Sequence, residues 1–417
     1  MHFGIISPPV SGHIHPFGAL GRELIARGHR VTFVNMSDVE AQARAEGLEF
    51  ARIGEESHPA GSLAESLREL GRRRGLAALR FTIQAIRGTT EMVCEEAPLA
   101  IERAGIETLL VDQTEPAGGS VAEHLGMPFV TICNALPLNR EAGVPPPFTP
   151  WCYGTGWVRR ARNALGYRVY ESIMSPVTDV VARFRKRQGL PRHRNPEDSF
   201  STLAQISQMP KALDFPRREL PSAFHYTGPL RGRHGDGSEF PWERLNGRPL
   251  IYASLGTLQH SQKGIFQCFA EACAGLDAQL VLAHCGGLDV AGIHSLAGDP
   301  IAVHYAPQRE VISKSKIVLT HAGLNTVLDA LSFGVPVMAV PITYEQPAIA
   351  ARVRWSGAGR SLPSGELTAA RLRENLSLLL KDPAYARNAA LMADSVQCAG
   401  GTRRAADIIE RVCRSDN

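Results

Sequence analysis

Two histidines, a few carboxylates and a few amides stand where this chain could do chemistry. "PPVSGHIHPFG" places His13 after a short apolar run, "FGIIS", and just ahead of a helical pattern. "LLVDQ" places Asp112 at the end of a later apolar run. An aspartate within reach of an imidazole fixes its tautomer and stabilises the imidazolium formed when the ring takes a proton. That is what a general base needs to deprotonate a weakly acidic hydroxyl. The plain alternative is two unrelated loop polar groups, one of them capping the helix, and His15 competes with His13 for the role.

The second histidine lies in "THAGLNTVLDALSFGVPVMAVPITYEQ", residues 320–346. Leu324, Val327, Leu328 and Leu331 fall at i, i+3, i+4 and i+7, so 324–333 reads as an amphipathic helix closed by Gly334 and Pro336. "KIVLT" before it has strand length, and "VPVMAVP" after it is apolar throughout, as a parallel strand covered on both faces would be. His321 and Gly323 therefore sit on a strand-to-helix turn, where free backbone N–H groups and the helix dipole favour an anion, a phosphate first. "ASLGT" ends another strand with Gly256 and Thr257, whose backbone and hydroxyl donors could reach a phosphate, although strand-ending turns often contain such residues. In "HYAPQ", Tyr305 could stack on a base and Gln308 bond its edge; a packed tyrosine is the plain alternative. The chain has no Asp-x-Asp triplet to hold Mg²⁺ against a diphosphate, so the helix end and His321 would do that neutralising.

The elements that must position these groups alternate. "FGIIS", a helix from Pro16 to Gly28, "VTFVN", "TLLVDQ" and "FVTIC" form a first βα series. "LIYASLG", "QLVLAHC", "IAVHYA", "KIVLT" and "VPVMAVP" form a second. Such alternation implies doubly wound parallel sheets. Between them, residues 226–250 are dense in Gly, Pro and charge and read as a linker. The expectation is an α/β chain of two doubly wound domains with a cleft between them. The tail "RRAADIIERVC" is a further amphipathic helix with no docking site visible in the sequence.

Length and composition agree. A chain of 417 residues favours two or three domains, and 44% hydrophobic with 21% charged residues is ordinary for a globular protein. A net charge of +4 is too small to argue for nucleic acid as the main partner. Eight cysteines without a C-x-x-C read as reduced, mostly buried thiols of a cytosolic protein, with no zinc site. The amino terminus is too short and uncharged for a signal peptide, and no run approaches the roughly 18 apolar residues of a membrane span. The expected location is cytoplasmic.

His321, Gly323, Asn325 and Asp329 in one turn and helix, "YAPQ" upstream and Glu345-Gln346 downstream together resemble the donor-binding box of family-one glycosyltransferases of the GT-B fold. That resemblance implies two Rossmann-like domains with the active site in the cleft: an acceptor domain at 1–225, a linker at 226–248, a nucleotide-sugar domain at 249–390, and a carboxy-terminal helix at 391–417 returning to the first domain. It implies that Tyr305 stacks on the nucleobase and Gln308 bonds the base or ribose. His321, Gly323, Asn325 and Thr326 would hold the diphosphate, with Gly256 and Thr257 as its second contact. Asp329 would bind the ribose, and Glu345 and Gln346 the sugar hydroxyls. The family's G-H-x-x-P turn selects His13 over His15 as catalytic base, with Asp112 as its partner. Tyr305, Ala322, Leu324, Asp329 and Glu345 depart from the plant form of the box and fit bacterial members.

"VDQTEPAGG", "CNALPLNRE", "LDFPRRELP" and "YASLGTLQ" narrow the resemblance to bacterial carotenoid glycosyltransferases over nearly the whole chain. This implies UDP-glucose as donor and a carotenoid hydroxyl, that of zeaxanthin, as acceptor. It also implies inversion at the sugar, no cofactor and no metal. Rival readings are the same transfer to a macrolide, polyketide, sterol or flavonoid hydroxyl, a nucleotide-sugar epimerase, and a lipid-binding module without catalysis. A carotenoid is insoluble in water, so peripheral contact with the inner face of the cytoplasmic membrane is expected. Residues 151–194 are the candidate, with Trp151, Trp157, Tyr167 and Tyr170 interleaved with arginines; 70–86 is a second. A solvated basic helix face over a normal core is the alternative.

Overall fold

The computed structural model describes residues 1–232, 239–256 and 262–414. Its short Val-, Ile- and Leu-rich runs are strands buried on both faces. β1 (His2–Ile6), β2 (Arg30–Asn35), β3 (Glu49–Arg52), β4 (Thr108–Asp112), β5 (Phe129–Cys133), β6 (Gln205–Ser207) and β7 (Phe224–Tyr226) make the first sheet. β8 (Leu250–Ser254), β9 (Gln279–Ala283), β10 (Ile301–Val303), β11 (Ile317–Thr320), β12 (Val337–Ala339) and β13 (Gly359–Ser361) make the second. The orders are β3-β2-β1-β4-β5-β6-β7 and β10-β9-β8-β11-β12-β13. Every pairing is parallel. The sequence reading misses β3, β6, β7 and β13, which are three or four residues long and carry no continuous apolar run.

In each sheet the chain winds outward from its first strand and then returns to that strand's other side, as β4 beside β1 and β11 beside β8. The winding reverses there, and the crevice at the carboxyl ends of those two strands is where doubly wound sheets take ligands. Both halves of the expected site are anchored at these two points.

Six helices bear on the site: α1 (Ser11–Ala26), α2 (Gly75–Ala104), α3 (Trp157–Arg187), α4 (Leu324–Ser332), α5 (Gln346–Trp355) and α6 (Gly401–Arg414). α1 starts five residues before Pro16, so the expectation of a proline in the first turn is corrected and His13 lies inside the helix. An interior proline has no N–H for the carbonyl four residues back, which here is that of Gly12. That carbonyl accepts a hydrogen bond from Asn325 Nδ2 on α4 instead, at 2.7 Å. The fault in α1 thereby becomes a contact between the two halves of the molecule. α6 packs Ala405, Ile408 and Ile409 into the core that α1 fills with Phe17, Leu20 and Leu24. Arg27, the residue after α1, pairs with Asp407 and Glu410 over that contact.

Two surface expectations change. Tyr167 points inward and donates its hydroxyl to the Val144 carbonyl at 3.3 Å, Tyr170 stacks on Phe148, and Trp151 lies under Arg162. Of the four aromatics expected to interleave with arginines, Trp157 alone is exposed, because the other three cover the loop preceding α3. All eight cysteines are free, but four are buried while Cys152 and Cys398 are exposed. Among the described residues, no helix is long and apolar enough to cross a membrane.

Candidate active site

β4 ends on Asp112 and α1 begins just after β1, so adjacent strands deliver the two side chains to one crevice. His13 Nδ1 donates to Asp112 Oδ2 at 2.7 Å. The carboxylate fixes the tautomer, leaving Nε2 with a lone pair. Asp112 is fully buried and His13 is 18% exposed at its side chain. Asp112 Oδ1 accepts from the Thr114 backbone N–H at 2.9 Å and from its hydroxyl at 2.7 Å. Asn134 Nδ2 donates to Oδ2 at 2.9 Å. Burial opposes ionisation of Asp112, but the charge and hydrogen bond of His13, with the Thr114 bonds, bring its pKa below the usual value. Burial likewise opposes protonation of His13. The Asp112 charge and hydrogen bond outweigh it, Glu345 adds to them, and the imidazole is raised above its ordinary value. His15 instead faces Glu46, at 2.7 Å on the exposed side of α1.

The second half is built around one ring. A Cβ at Gly323 would stand 2.6 Å from His321 Nε2, and a Cβ at Gly256, whose φ is +66°, would stand 2.8 Å from its Cε1. The two glycines thus make room for the imidazole between the turns that follow β8 and β11. Burial pushes His321 down to about 4, its bond to Ser254 only partly opposing this. The ring is therefore neutral, with its one N–H turned to the Ser254 backbone oxygen. Positive potential comes from the first turn of α4, where the N–H groups of Leu324, Asn325 and Thr326 have no intrahelical acceptor. Thr257 lies outside the described residues.

Tyr305 stands beyond the end of β10 with its ring edge-on to His304 and is 52% exposed, leaving a face open for stacking. Gln308 Nε2 donates to Asp329 Oδ2 at 2.7 Å, and its Oε1 accepts from the Tyr252 hydroxyl at 3.3 Å. Glu345 occupies the position just before α5 without a side-chain cap bond, and Gln346 Oε1 accepts from the backbone N–H groups of Ile342 and Thr343, both at 2.9 Å, which holds the loop carrying Glu345. Glu345 acts electrostatically on His13, so the two halves face each other. Among the described residues, no three His, Cys, Asp or Glu side chains gather as a metal site would require.

Gln208 and Arg231 join the halves, Asn134 and Thr114 support Asp112, and the sequence reading did not single these four out. Gln208, after β6, donates to the Asn134 carbonyl at 2.6 Å and to Asn325 Oδ1 at 3.1 Å. Arg231 donates to Gln208 Oε1, to Asn325 Oδ1 and, at 2.8 Å, to Asp329 Oδ1. A continuous hydrogen-bond chain thus runs from His13 through Asp112, Asn134, Gln208 and Arg231 to Asp329. Asn134 Oδ1 is buried with no partner among the described residues. Thr114 had a signal, since Asp-x-Thr after a strand favours a turn in which the carboxylate accepts from two residues on. Asn134 had a weaker one, as the residue after the strand neighbouring β4. Arg231, inside the linker stretch, had none.

The model of the UDP-glucoronosyl and UDP-glucosyl transferase family matches residues 19–396. Zeaxanthin glucosyltransferase of Pantoea ananas is 38% identical over 99% of this chain and 96% of its own length. Zeaxanthin glucosyltransferase of Pseudescherichia vulneris is 39% identical, covering 98% and 97%. The solved structure of the kitacinnamycin glycosyltransferase superposes with a TM-score of 0.77 at 24% identity, covering 99% and 98% of the two chains. With two parallel Rossmann-like sheets facing across a cleft, the chain belongs to the UDP-glucoronosyl and UDP-glucosyl transferase family and is a glycosyltransferase of the GT-B fold.

Proposed function

We propose that the protein transfers glucose from UDP-glucose to the hydroxyl of a carotenoid, zeaxanthin, giving the β-glucoside or diglucoside. The acceptor reading is supported by whole-length similarity to two zeaxanthin glucosyltransferases. The chemical reading rests on one observation: the His13–Asp112 pair at 2.7 Å, facing Glu345 across the cleft.

In this reading His13 Nε2 takes the acceptor hydroxyl proton as the oxygen bonds to the anomeric carbon. The bond from that carbon to the UDP oxygen breaks on the opposite face, so one displacement inverts the centre. Asp112 stabilises the imidazolium that forms. Tyr305 stacks on the uracil, Gln308 bonds the base or ribose, and Asp329 accepts from the ribose hydroxyls. The first turn of α4 with Asn325 and Thr326, the His321 ring cradled by Gly323 and Gly256, and Thr257 hold the diphosphate, and the helix end meets the charge growing on it. Glu345 and Gln346 hold the sugar hydroxyls. No cofactor or metal takes part. The protein works in the cytoplasm, in peripheral contact with a membrane, because its acceptor does not dissolve in water.

The test is incubation of purified enzyme with UDP-glucose and detergent-solubilised zeaxanthin, with product read by chromatography and mass. A hexose-shifted carotenoid is expected. Bound UDP-glucose with untouched zeaxanthin would keep the donor half and move the acceptor to a macrolide, polyketide, sterol or flavonoid.

A further inference from the structure

α2 and α3 are 30 and 31 residues long, about 45 Å each, whereas the five-residue strands they cover span about 17 Å. Their sheet-packed side chains lie in their second halves: Met92, Val93, Ala97 and Ile101 on α2, Val180 and Phe184 on α3. The helices run in the same direction, since Glu91 pairs with Arg183 and Glu95 with Arg187. A crossover helix in a parallel sheet starts at the carboxyl edge, so both first halves project past the edge that carries His13 and Asp112. Thr82 on α2 reaches the hydroxyl of Tyr344, the neighbour of Glu345, which places that projection over the cleft.

The projecting ends are apolar where water would favour charge. Trp157 is 80% exposed, Leu165 64%, Val158 58% and Leu76 73%. At 100° per residue, Trp157, Ala161, Leu165, Val158 and Val169 occupy one arc of about 120° on α3. The charge around this arc is predominantly positive, and the nearest acid on α3, Glu171, is paired with Arg140. Residues 157–170 contain Arg159, Arg160, Arg162 and Arg168 and no acid, and residues 71–90 contain five arginines and no acid. Arg160, Arg168, Arg74 and Arg80 have no carboxylate partner among the described residues. A second copy of the chain would bring arginine against arginine, whereas a surface of anionic headgroups would satisfy them and accept the tryptophan.

We propose that the first halves of α2 and α3 form a docking face for an anionic bilayer. Trp157, Leu165 and Leu76 enter the headgroup layer while Arg160, Arg168 and Arg74 pair with lipid phosphates, turning the cleft toward an acceptor held in the membrane. The reason for such docking rests on the hydrophobic-acceptor reading; the docking itself does not need the acceptor.

The test is co-sedimentation of the full chain with vesicles of phosphatidylcholine plus phosphatidylglycerol and with phosphatidylcholine alone. Binding to the first, weakened by salt and reduced about tenfold or more in W157S/L165S and in R160E/R168E, is expected. Both variants should keep the wild-type melting temperature and the wild-type rate on detergent-solubilised acceptor. Equal binding to both vesicles, no binding, full binding by the variants, or a dimer that the substitutions dissolve would each overturn the proposal. Because the vesicles contain no acceptor, failure of the carotenoid assignment would leave a positive sedimentation result standing.

Discussion

Arg231 Nε lies 2.8 Å from Oδ1 of Asp329, while Gln308 holds the other carboxylate oxygen at 2.7 Å. An ionised carboxylate has about four acceptor positions. With one used on each oxygen, one remains on each, which suits a vicinal diol such as that of a ribose. Arg231 therefore need not leave when a nucleotide binds. It offsets the charge of a buried carboxylate close to where a diphosphate dianion would lie. Methionine at 231 should raise the dissociation constant for UDP about tenfold or more, a charged hydrogen bond being worth roughly 1.5–3 kcal/mol. Asp329→Ala should weaken UDP as well, and Arg231→Met should add little in an Asp329→Asn background. Calorimetric titration of the wild type, the three single variants and the double variant checks this, and additive losses would show that Arg231 acts elsewhere.

A general base works in its neutral form, and Asp112 raises the pKa of His13 above the ordinary 6.5 in spite of burial. Turnover should therefore climb with pH through a midpoint above that value. Asp112→Asn removes the charge that raises it, so the midpoint should move down while the rate falls. His13→Ala should lose at least about 100-fold in turnover with UDP affinity kept; retained turnover would reject the pair. The same shift has a stability sign. The stability added by protonated His13 beside ionised Asp112 is fully present below the unfolded-state value of 6.5 and is lost as pH rises through the folded value, while the hydrogen bond from the neutral ring remains.

How much of this was legible depended on how local the cause was. The strands at the two winding reversals are short apolar runs, and Asp112, His13, His321 and Gly323 lie at their ends or in the turns and helix that come next, so their placement could be read from pattern. The role of Gly256 and Gly323 as walls for an imidazole could not, because it needs residues 67 positions apart to meet. Pro16 looked like a helix start because its missing N–H is usually spent there; the partner that makes it tolerable, Asn325, comes from the other sheet. Tyr167 and Tyr170 looked like an interface because sequence shows their polarity and not the loop they cover. Arg231 and Gln208 are invisible for the same reason: each matters through contacts made across the cleft.

The reading gives no step to a divalent cation, so chelation makes a direct test. The rate in excess EDTA should equal the untreated rate, and added Mg²⁺ should change it by less than about twofold, the diphosphate being met by backbone N–H groups and helix dipole. Activity lost to the chelator and restored by Mg²⁺ would put the metal back into the mechanism.

Asp214, between β6 and β7, and Arg352, on α5, join the two domains through a buried bond of 2.9 Å. Arg217 reaches the other carboxylate oxygen at 3.0 Å and the Tyr226 hydroxyl donates to it at 2.8 Å. The cluster holds two cations and one anion, so its members are not equivalent. Burial opposes the charge on Asp214, but Arg352 and Arg217 together bring its pKa below the usual carboxylate range. Asp214→Asn leaves two buried guanidinium groups with nothing between them and should cost roughly 3–5 kcal/mol, the penalty for breaking a buried pair. Arg352→Met leaves Asp214 with Arg217 and Tyr226 and fills the space over Phe215, where the guanidinium now stacks at 4.3 Å; it should cost less. Urea unfolding at neutral pH ranks the two variants. The lowered pKa adds a second check: the wild type's advantage over Asp214→Asn should hold above the unfolded-state value near 3.8 and disappear as pH falls through the folded one. Equal losses for the two substitutions would mean that the bond between domains, and not the buried charge balance, sets the cost.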